Sequence, residues 1–112
     1  MELFERNACD LSEMIKNKEI SSAELTKSVF DRIKAVEGKV DAYLTLDEEN
    51  AMKKAAEIDE KLAKGEELSP LAGIPVGIKD NISTKGLRTT CASKMLEDFV
   101  PPYDATVIKK LQ

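Results

Sequence analysis

The stretch "LSPLAGIPVGIKDNIST" (residues 68–84) differs from its charged surroundings, because it holds two prolines, two glycines and only two charged residues. Bulky side chains at positions 74, 76 and 78 alternate in it with small or polar ones at 75, 77 and 79. This period of two predicts a β-strand with one bulky face. Pro75 cannot donate a ladder hydrogen bond, which restricts the strand to an edge or to its own first residues. The strand closes on a single lysine, Lys79.

Three amphipathic helices are predicted upstream of this strand. The first covers about residues 8–18 and carries its apolar side chains on one face; these are Leu11, Met14 and Ile15. The second begins at a capping box, in which the Ser21 hydroxyl accepts from the backbone N–H of Glu24. Its apolar positions recur at helical spacing up to a predicted stop at Gly38; they are Leu25, Val29, Ile33 and Val36.

Asp47 is predicted to cap the third helix, and Gly65 to end it. The apolar stripe of that helix consists of Ala51, Ala55, Ile58 and Leu62. Between the second and third helices, "VDAYLTL" (residues 40–46) alternates apolar and polar residues and predicts a half-buried strand. Downstream, "STKGLRTT" predicts a turn, and Asp104 is expected to cap a short last helix carrying Val107, Ile108 and Leu111.

Composition excludes several classes of protein. A net charge of −4 disfavours a nucleic-acid-binding module, and the absence of histidine removes the commonest general base and metal ligand. Cys9 and Cys91 form no CxxC pair, so we expect reduced thiols, with Cys91 buried rather than reactive. No long apolar run or leader pattern is present, which predicts a cytoplasmic protein without a membrane span.

Position alone leaves three interpretations of Lys79 open. It is a solvated strand end that protects an edge, a phosphate ligand, or a catalytic base made neutral by burial. The phosphate interpretation is weak, because the glycine spacing differs from a phosphate-binding loop and Asp80 stands where a hydroxyl is needed. Asp80 and Asn81 either orient the lysine or cap a turn.

The segments "PLAGIPVGIKDN", "TTCAS" and "PPYDATVIKKL" together resemble the amidase signature family. Within it, they and the helical start are similar to the A subunits of glutamyl-tRNA(Gln)/aspartyl-tRNA(Asn) amidotransferases. The resemblance implies a Ser–Ser–Lys triad in which Lys79 is the catalytic lysine and both serines lie in a glycine- and serine-rich stretch. The 112 residues contain no such stretch. Ser21 and Ser22 are interpreted as a helix cap, and the hydroxyls near Lys79 do not stand in a glycine-rich turn.

The resemblance therefore implies an α/β fold in which residues 1–67 are mainly helical and residues 68–112 begin the amidase core, with part of its mixed sheet. The amphipathic pattern is still running at Gln112, so we expect the chain to be an N-terminal segment of that domain, inactive alone. The family implies glutamine hydrolysis for tRNA-dependent amidation, with B and C subunits as partners, and with ATP and magnesium used in another subunit. The alternatives are another amidase of the same family, and an interaction module that self-associates through unpaired edges and apolar surface.

Overall fold

The computed structural model describes residues 1–112 in two units, which are taken separately below. Residues 1–75 are here named the helical unit and residues 76–112 the lysine unit. The helical unit contains a short 3-10 turn (Leu3–Glu5) and helices α1 (Ala8–Lys16), α2 (Ser22–Val40) and α3 (Glu48–Ala63). The lysine unit contains a 3-10 turn (Lys94–Leu96) and helix α4 (Thr106–Leu111). None of the helices combines the length and apolar character that a membrane crossing requires.

The helices begin where local side chains satisfy the free backbone N–H groups. The predicted capping box is confirmed at α2, where the Ser21 hydroxyl accepts from Glu24 N and the Glu24 carboxylate accepts from Ser21 N. Asp47 is the predicted N-cap residue of α3, although its side chain accepts from the Asn50 side chain instead of a backbone N–H.

Helices α1 and α3 end in the same hydrogen-bonding motif. After α3, Gly65 N donates to Leu62 O and Glu66 N to Lys61 O, with Gly65 at φ +78°. This is the Schellman arrangement, in which a left-handed residue satisfies the last carbonyls. The predicted stop at Gly65 is confirmed. After α1 the left-handed position is held by Lys18 at φ +59°.

The predicted apolar faces form the core of the helical unit. Leu11, Ile15 and Leu25 are buried together at its centre. Around them pack the partly buried side chains of Leu3, Ile20, Val29, Leu62 and Ile74. Burial of these faces supplies the main driving force for packing the helices.

The segment after α3 is held by two serine hydroxyls. Ser12 Oγ donates to Pro70 O at 2.5 Å, and Ser22 Oγ donates to Gly73 O at 2.7 Å. Gly73 has φ +84°, and a Cβ added to it would lie 3.0 Å from Ser22 Oγ and 3.1 Å from Ile58 Cγ2. The left-handed backbone favours glycine at this position, and the close contacts leave little room for a Cβ.

The prediction of a strand over residues 40–46 is wrong. Helix α2 runs through Gly38 to Val40 and ends at Asp41, whose φ is +51°, so Gly38 is not the stop either. Residues 41–47 are neither helix nor strand, and Leu44 is 62% exposed. Alternating side chains give a strand only when a neighbouring strand accepts its backbone hydrogen bonds, and this segment pairs with none.

Residues 74–79 also form no strand, so the structure does not confirm the sheet of the predicted α/β fold. The β-pairing present is a single antiparallel bridge between Thr84 and Leu87. It closes the predicted turn, in which Leu87 N donates to Thr84 O and Gly86 takes φ +76°. Proline at 75 and glycine at 77 weaken a strand that has no partner.

The rest of the lysine unit is tied together by backbone hydrogen bonds between distant loops. Gly86 N donates to Pro101 O, Thr89 N to Phe99 O, and Ala105 N to Ser83 O. Asp104 does not cap α4 as predicted. Its carboxylate accepts from Lys85 N at 2.7 Å, and Ala105 is the N-cap residue.

Candidate functional site

Lys79 opens a tight turn in the lysine unit. Its carbonyl oxygen accepts a hydrogen bond from Ile82 N at 3.0 Å, which closes a turn over residues 79–82. The lysine side chain is exposed, Val76 before it is 51% exposed and Ile78 is half-buried. The apolar neighbours of Lys79 therefore do not bury it in this chain, as its interpretation as a base made neutral by burial would require.

Asp80 is the most highly connected residue beside the lysine. Its carboxylate accepts from Thr90 N at 2.8 Å, from the Thr90 hydroxyl, and from Ala92 N at 3.3 Å. Its carbonyl oxygen accepts from Cys91 N at 2.9 Å. Three consecutive backbone N–H groups thus point at one aspartate. The carbonyl and carboxylate of Asp80 therefore connect the turn to residues 90–92.

The donors around Asp80 change its acidity. The hydroxyl of Thr90 and then its backbone N–H lower the pKa of the Asp80 carboxyl below its usual value, and burial opposes them. The Ala92 N–H and the nearby Arg88 charge lower it further, by smaller amounts. The carboxylate is therefore ionised at neutral pH, the form that accepts all of these hydrogen bonds.

Residues 91 and 92 adopt an unfavourable backbone in order to reach Asp80. Cys91 has φ +51° and Ala92 φ +55°, and neither is a glycine. A left-handed conformation costs a non-glycine residue about 1–2 kcal/mol. Cys91 N donates to the Asp80 carbonyl and Ala92 N to its carboxylate, and these hydrogen bonds favour the conformation.

Four of the hydroxyls near Lys79 in sequence hydrogen-bond to groups other than the lysine. Thr84 and Thr89 donate to backbone carbonyls two residues before them, and Ser93 accepts from Met95 N. Thr90 donates to Asp80. None of these hydroxyls is hydrogen-bonded to the lysine amine, as expected for residues outside a glycine-rich turn.

Cys91 is exposed, so the expectation of a buried thiol was wrong. Both cysteines are free, and the structure contains no group of three histidine, cysteine or acidic side chains arranged to hold a metal ion. The role of Thr90 was not found from the sequence. The sequence shows only an aspartate nine and ten residues before two threonines, and neither a helical nor a strand period relates these positions.

Comparison with known proteins gives a consistent result. The sequence profile of the family described as Amidase matches residues 24–112. The A subunit of a glutamyl-tRNA(Gln) amidotransferase from Carboxydothermus hydrogenoformans is 57% identical over 112 residues, which is 100% of this chain and 23% of that protein. The same-named protein of Geobacillus kaustophilus is 56% identical over 111 residues, or 99% of this chain and 23% of its own length.

Among solved structures, one similar chain comes from work on a vestigial protein complex that reveals the evolutionary origins of an s-triazine catabolic enzyme. It superposes with a TM-score of 0.89 at 27% identity, covering 95% of this chain and 23% of that one. In all three comparisons the chain spans about 23% of the length of the protein it matches.

Proposed function

We propose that this chain, which belongs to the amidase family, is the segment of a glutamyl-tRNA(Gln) amidotransferase A subunit that supplies the catalytic lysine, Lys79. The observation that carries the proposal is the 57% identity to such a subunit over every residue of the chain. The turn over residues 79–82, braced at Asp80, supports a role for the lysine beyond that of a solvated strand end.

In the proposed reaction Lys79 is the base of a Ser–Ser–Lys triad. The neutral amine takes the proton of the second serine through the bridging serine, as the second serine attacks the amide carbon of glutamine. The proton is returned to the departing nitrogen, the C–N bond breaks and ammonia leaves, and water then hydrolyses the acyl-enzyme to glutamate. Both serines are contributed from outside residues 1–112. The exposed side chain of Lys79 is accessible to such groups.

We extend the proposal to the architecture of the domain. Residues 1–67 are its mainly helical start, and residues 68–112 begin the amidase core. In the longer protein, residues 74–79 become a strand of the mixed sheet once partner strands are available, which accounts for the period-two pattern left unpaired here.

The proposed partners follow from the same assignment. In the complete enzyme this polypeptide works in the cytoplasm with the B and C subunits, and the ammonia converts Glu-tRNA(Gln) or Asp-tRNA(Asn). ATP and magnesium are used in another subunit, and mischarged tRNA is reached through the complex. The tRNA is not expected to bind this segment, whose net charge of −4 is unfavourable for phosphate contacts.

Self-association of the isolated chain is a second proposal, carried by its exposed apolar side chains. Residues exposed by about half or more include Val40, Leu44, Val76, Met95 and Val107. Apolar surface of this kind promotes association. We expect a dimer or larger oligomer in light scattering at high concentration, and a monomer under those conditions would contradict this.

A hybrid enzyme tests the catalytic assignment. These 112 residues replace the matching segment of the Carboxydothermus hydrogenoformans protein, and ammonia release from glutamine is measured in the complex assembled with its partner subunits. We expect the hybrid to be active and Lys79→Ala to abolish the activity. Lys85→Ala, at a second exposed lysine of the same unit, is the matched control and should leave the rate unchanged.

Two results would overturn the assignment. Lys79→Ala with full activity would remove the lysine from the mechanism. A hybrid that hydrolyses small amides but not glutamine would favour another amidase of the family. The 112-residue chain alone should release no ammonia, and activity in it that Lys79→Ala removes would place a nucleophile within these residues.

A further inference from the structure

The turn that carries Lys79 is fixed through the residue that follows the lysine. The Lys79 carbonyl is occupied by Ile82 N, and both the carbonyl and the carboxylate of Asp80 are occupied by residues 90–92. The backbone at positions 79 and 80 is thus restrained on both sides. The lysine side chain is itself exposed, so what this restraint fixes is the point on the backbone from which the side chain extends.

Thr90 is the central contact of this restraint. It is 4% exposed, and it gives Asp80 both its backbone N–H and its hydroxyl. Its hydroxyl also accepts from Ala92 N at 3.2 Å, which links the two donors that share the carboxylate. Two consecutive left-handed residues at 91 and 92 are maintained by the same contacts. A strained backbone that persists only because its surroundings determine it is typical of functional sites.

We propose that Asp80 is a positioning residue, and that its hydrogen bonds to Thr90 and Ala92 hold the turn from which Lys79 reaches the bridging serine. This inference rests on the proposed function of Lys79 and adds a role for residues that do not touch the substrate. Proton transfer requires hydrogen-bond distance between base and serine, so a displaced turn lowers the rate of the chemical step.

The hydroxyl of Thr90 is tested in the hybrid enzyme with two variants. Thr90→Val keeps the branched shape and removes the hydroxyl, whereas Thr90→Ser keeps the hydroxyl and removes the methyl group. We expect Thr90→Val to lower kcat by about tenfold to hundredfold with KM within about twofold of the parent. We expect Thr90→Ser to retain kcat. A purely structural role predicts instead that the loss follows the missing methyl group and the melting temperature.

The outcomes distinguish failure of the positioning role of Asp80 from failure of the proposed catalytic role of Lys79. If Lys79→Ala is inactive but Thr90→Val has parental kcat, or if both Thr90 variants lose kcat equally, the positioning role is wrong and the catalytic lysine stands. A Thr90→Val loss confined to KM would also overturn it. If Lys79→Ala is active, the proposed function and the positioning role both fail. Asp80→Asn is a second variant, expected to lower kcat in the same direction as Thr90→Val.

Discussion

Removal of the Asp59 carboxylate should lower the free energy of unfolding of the helical unit more than removal of any other single exposed or half-buried carboxylate in it. Asp59 lies on α3, and its two oxygens accept from the first backbone N–H groups of α2, Ser22 N at 2.7 Å and Ala23 N at 3.0 Å. With the capping box at Ser21 and Glu24, all four N–H groups at the start of α2 have a partner. Helix starts normally leave these groups without an intrahelical acceptor.

The cost of Asp59→Ala follows from the burial of the two donors. Ser22 is 1% exposed, so water does not replace the lost oxygen, and an unsatisfied buried N–H costs about 1–3 kcal/mol. Ala23 is half-buried, and loss of its hydrogen bond adds about 1 kcal/mol. The negative charge near the helix N-terminus adds about 0.3–1 kcal/mol. The free energy of unfolding should therefore fall by about 3 kcal/mol.

Urea unfolding followed by far-ultraviolet circular dichroism measures this effect at a fixed protein concentration. Asp31→Ala is the matched control, because Asp31 lies on α2 in an ion pair with Lys27 whose side chains are 53% and 69% exposed. Exposed pairs of this kind contribute little to stability, because solvent screens them. Asp59→Asn, which keeps one acceptor oxygen, should fall between the two. If Asp59→Ala lowered the free energy of unfolding no more than Asp31→Ala does, the hydrogen bonds from Ser22 N and Ala23 N to Asp59 would not stabilise the start of α2.

Three further predictions use the same measurement. Gly38→Ala should raise the free energy of unfolding by about 0.5–1 kcal/mol, because the position is helical and open; a loss would indicate that α2 ends earlier. Lys18→Gly should raise the free energy of unfolding by about 0.5–1 kcal/mol and Gly65→Ala should lower it by about 1 kcal/mol, because both positions have a left-handed backbone. Two changes of the same sign would contradict this. The lowered pKa of Asp80 implies a stabilisation that is complete above the unfolded value of 3.8 and is lost as pH falls below it. The difference in urea midpoint between wild type and Asp80→Asn should therefore stay constant from pH 7 down to about pH 5 and begin to shrink as pH falls below 3.8; a difference at pH 3 equal to that at pH 7 would disprove the link.

The helices could be predicted from sequence because their signals are local. Ser21 and Glu24 are three residues apart, and the apolar stripe of α2 recurs within each turn of the same helix. Gly65 ends α3 through hydrogen bonds to residues only a few positions away. Such features act on neighbours along the chain, so the order of residues is sufficient to reveal them. The lysine motif was also recognised without a structure, because its residues are contiguous.

The strand at 40–46 shows where this reasoning fails. The alternation of Val40, Ala42, Leu44 and Leu46 is real, but a strand exists only beside another strand, and these residues find none within the chain. The end of α2 was misplaced for a related reason. Gly38 accepts helical geometry as readily as a stop, and the left-handed residue proved to be Asp41.

Two aspartates show which features could be predicted from the sequence and which were decided only by the tertiary structure. Asp59 reads as one more charge on an exposed helix face, yet it caps a helix that starts 37 positions earlier. Asp80 reads as the neighbour of a lysine, yet it braces a loop ten positions later. A carboxylate has no preferred partner until packing brings donors within about 3 Å and removes competing water. Helix positions and family membership follow from local pattern, whereas the acceptors that hold the helix start and the lysine turn are chosen only when the chain has folded.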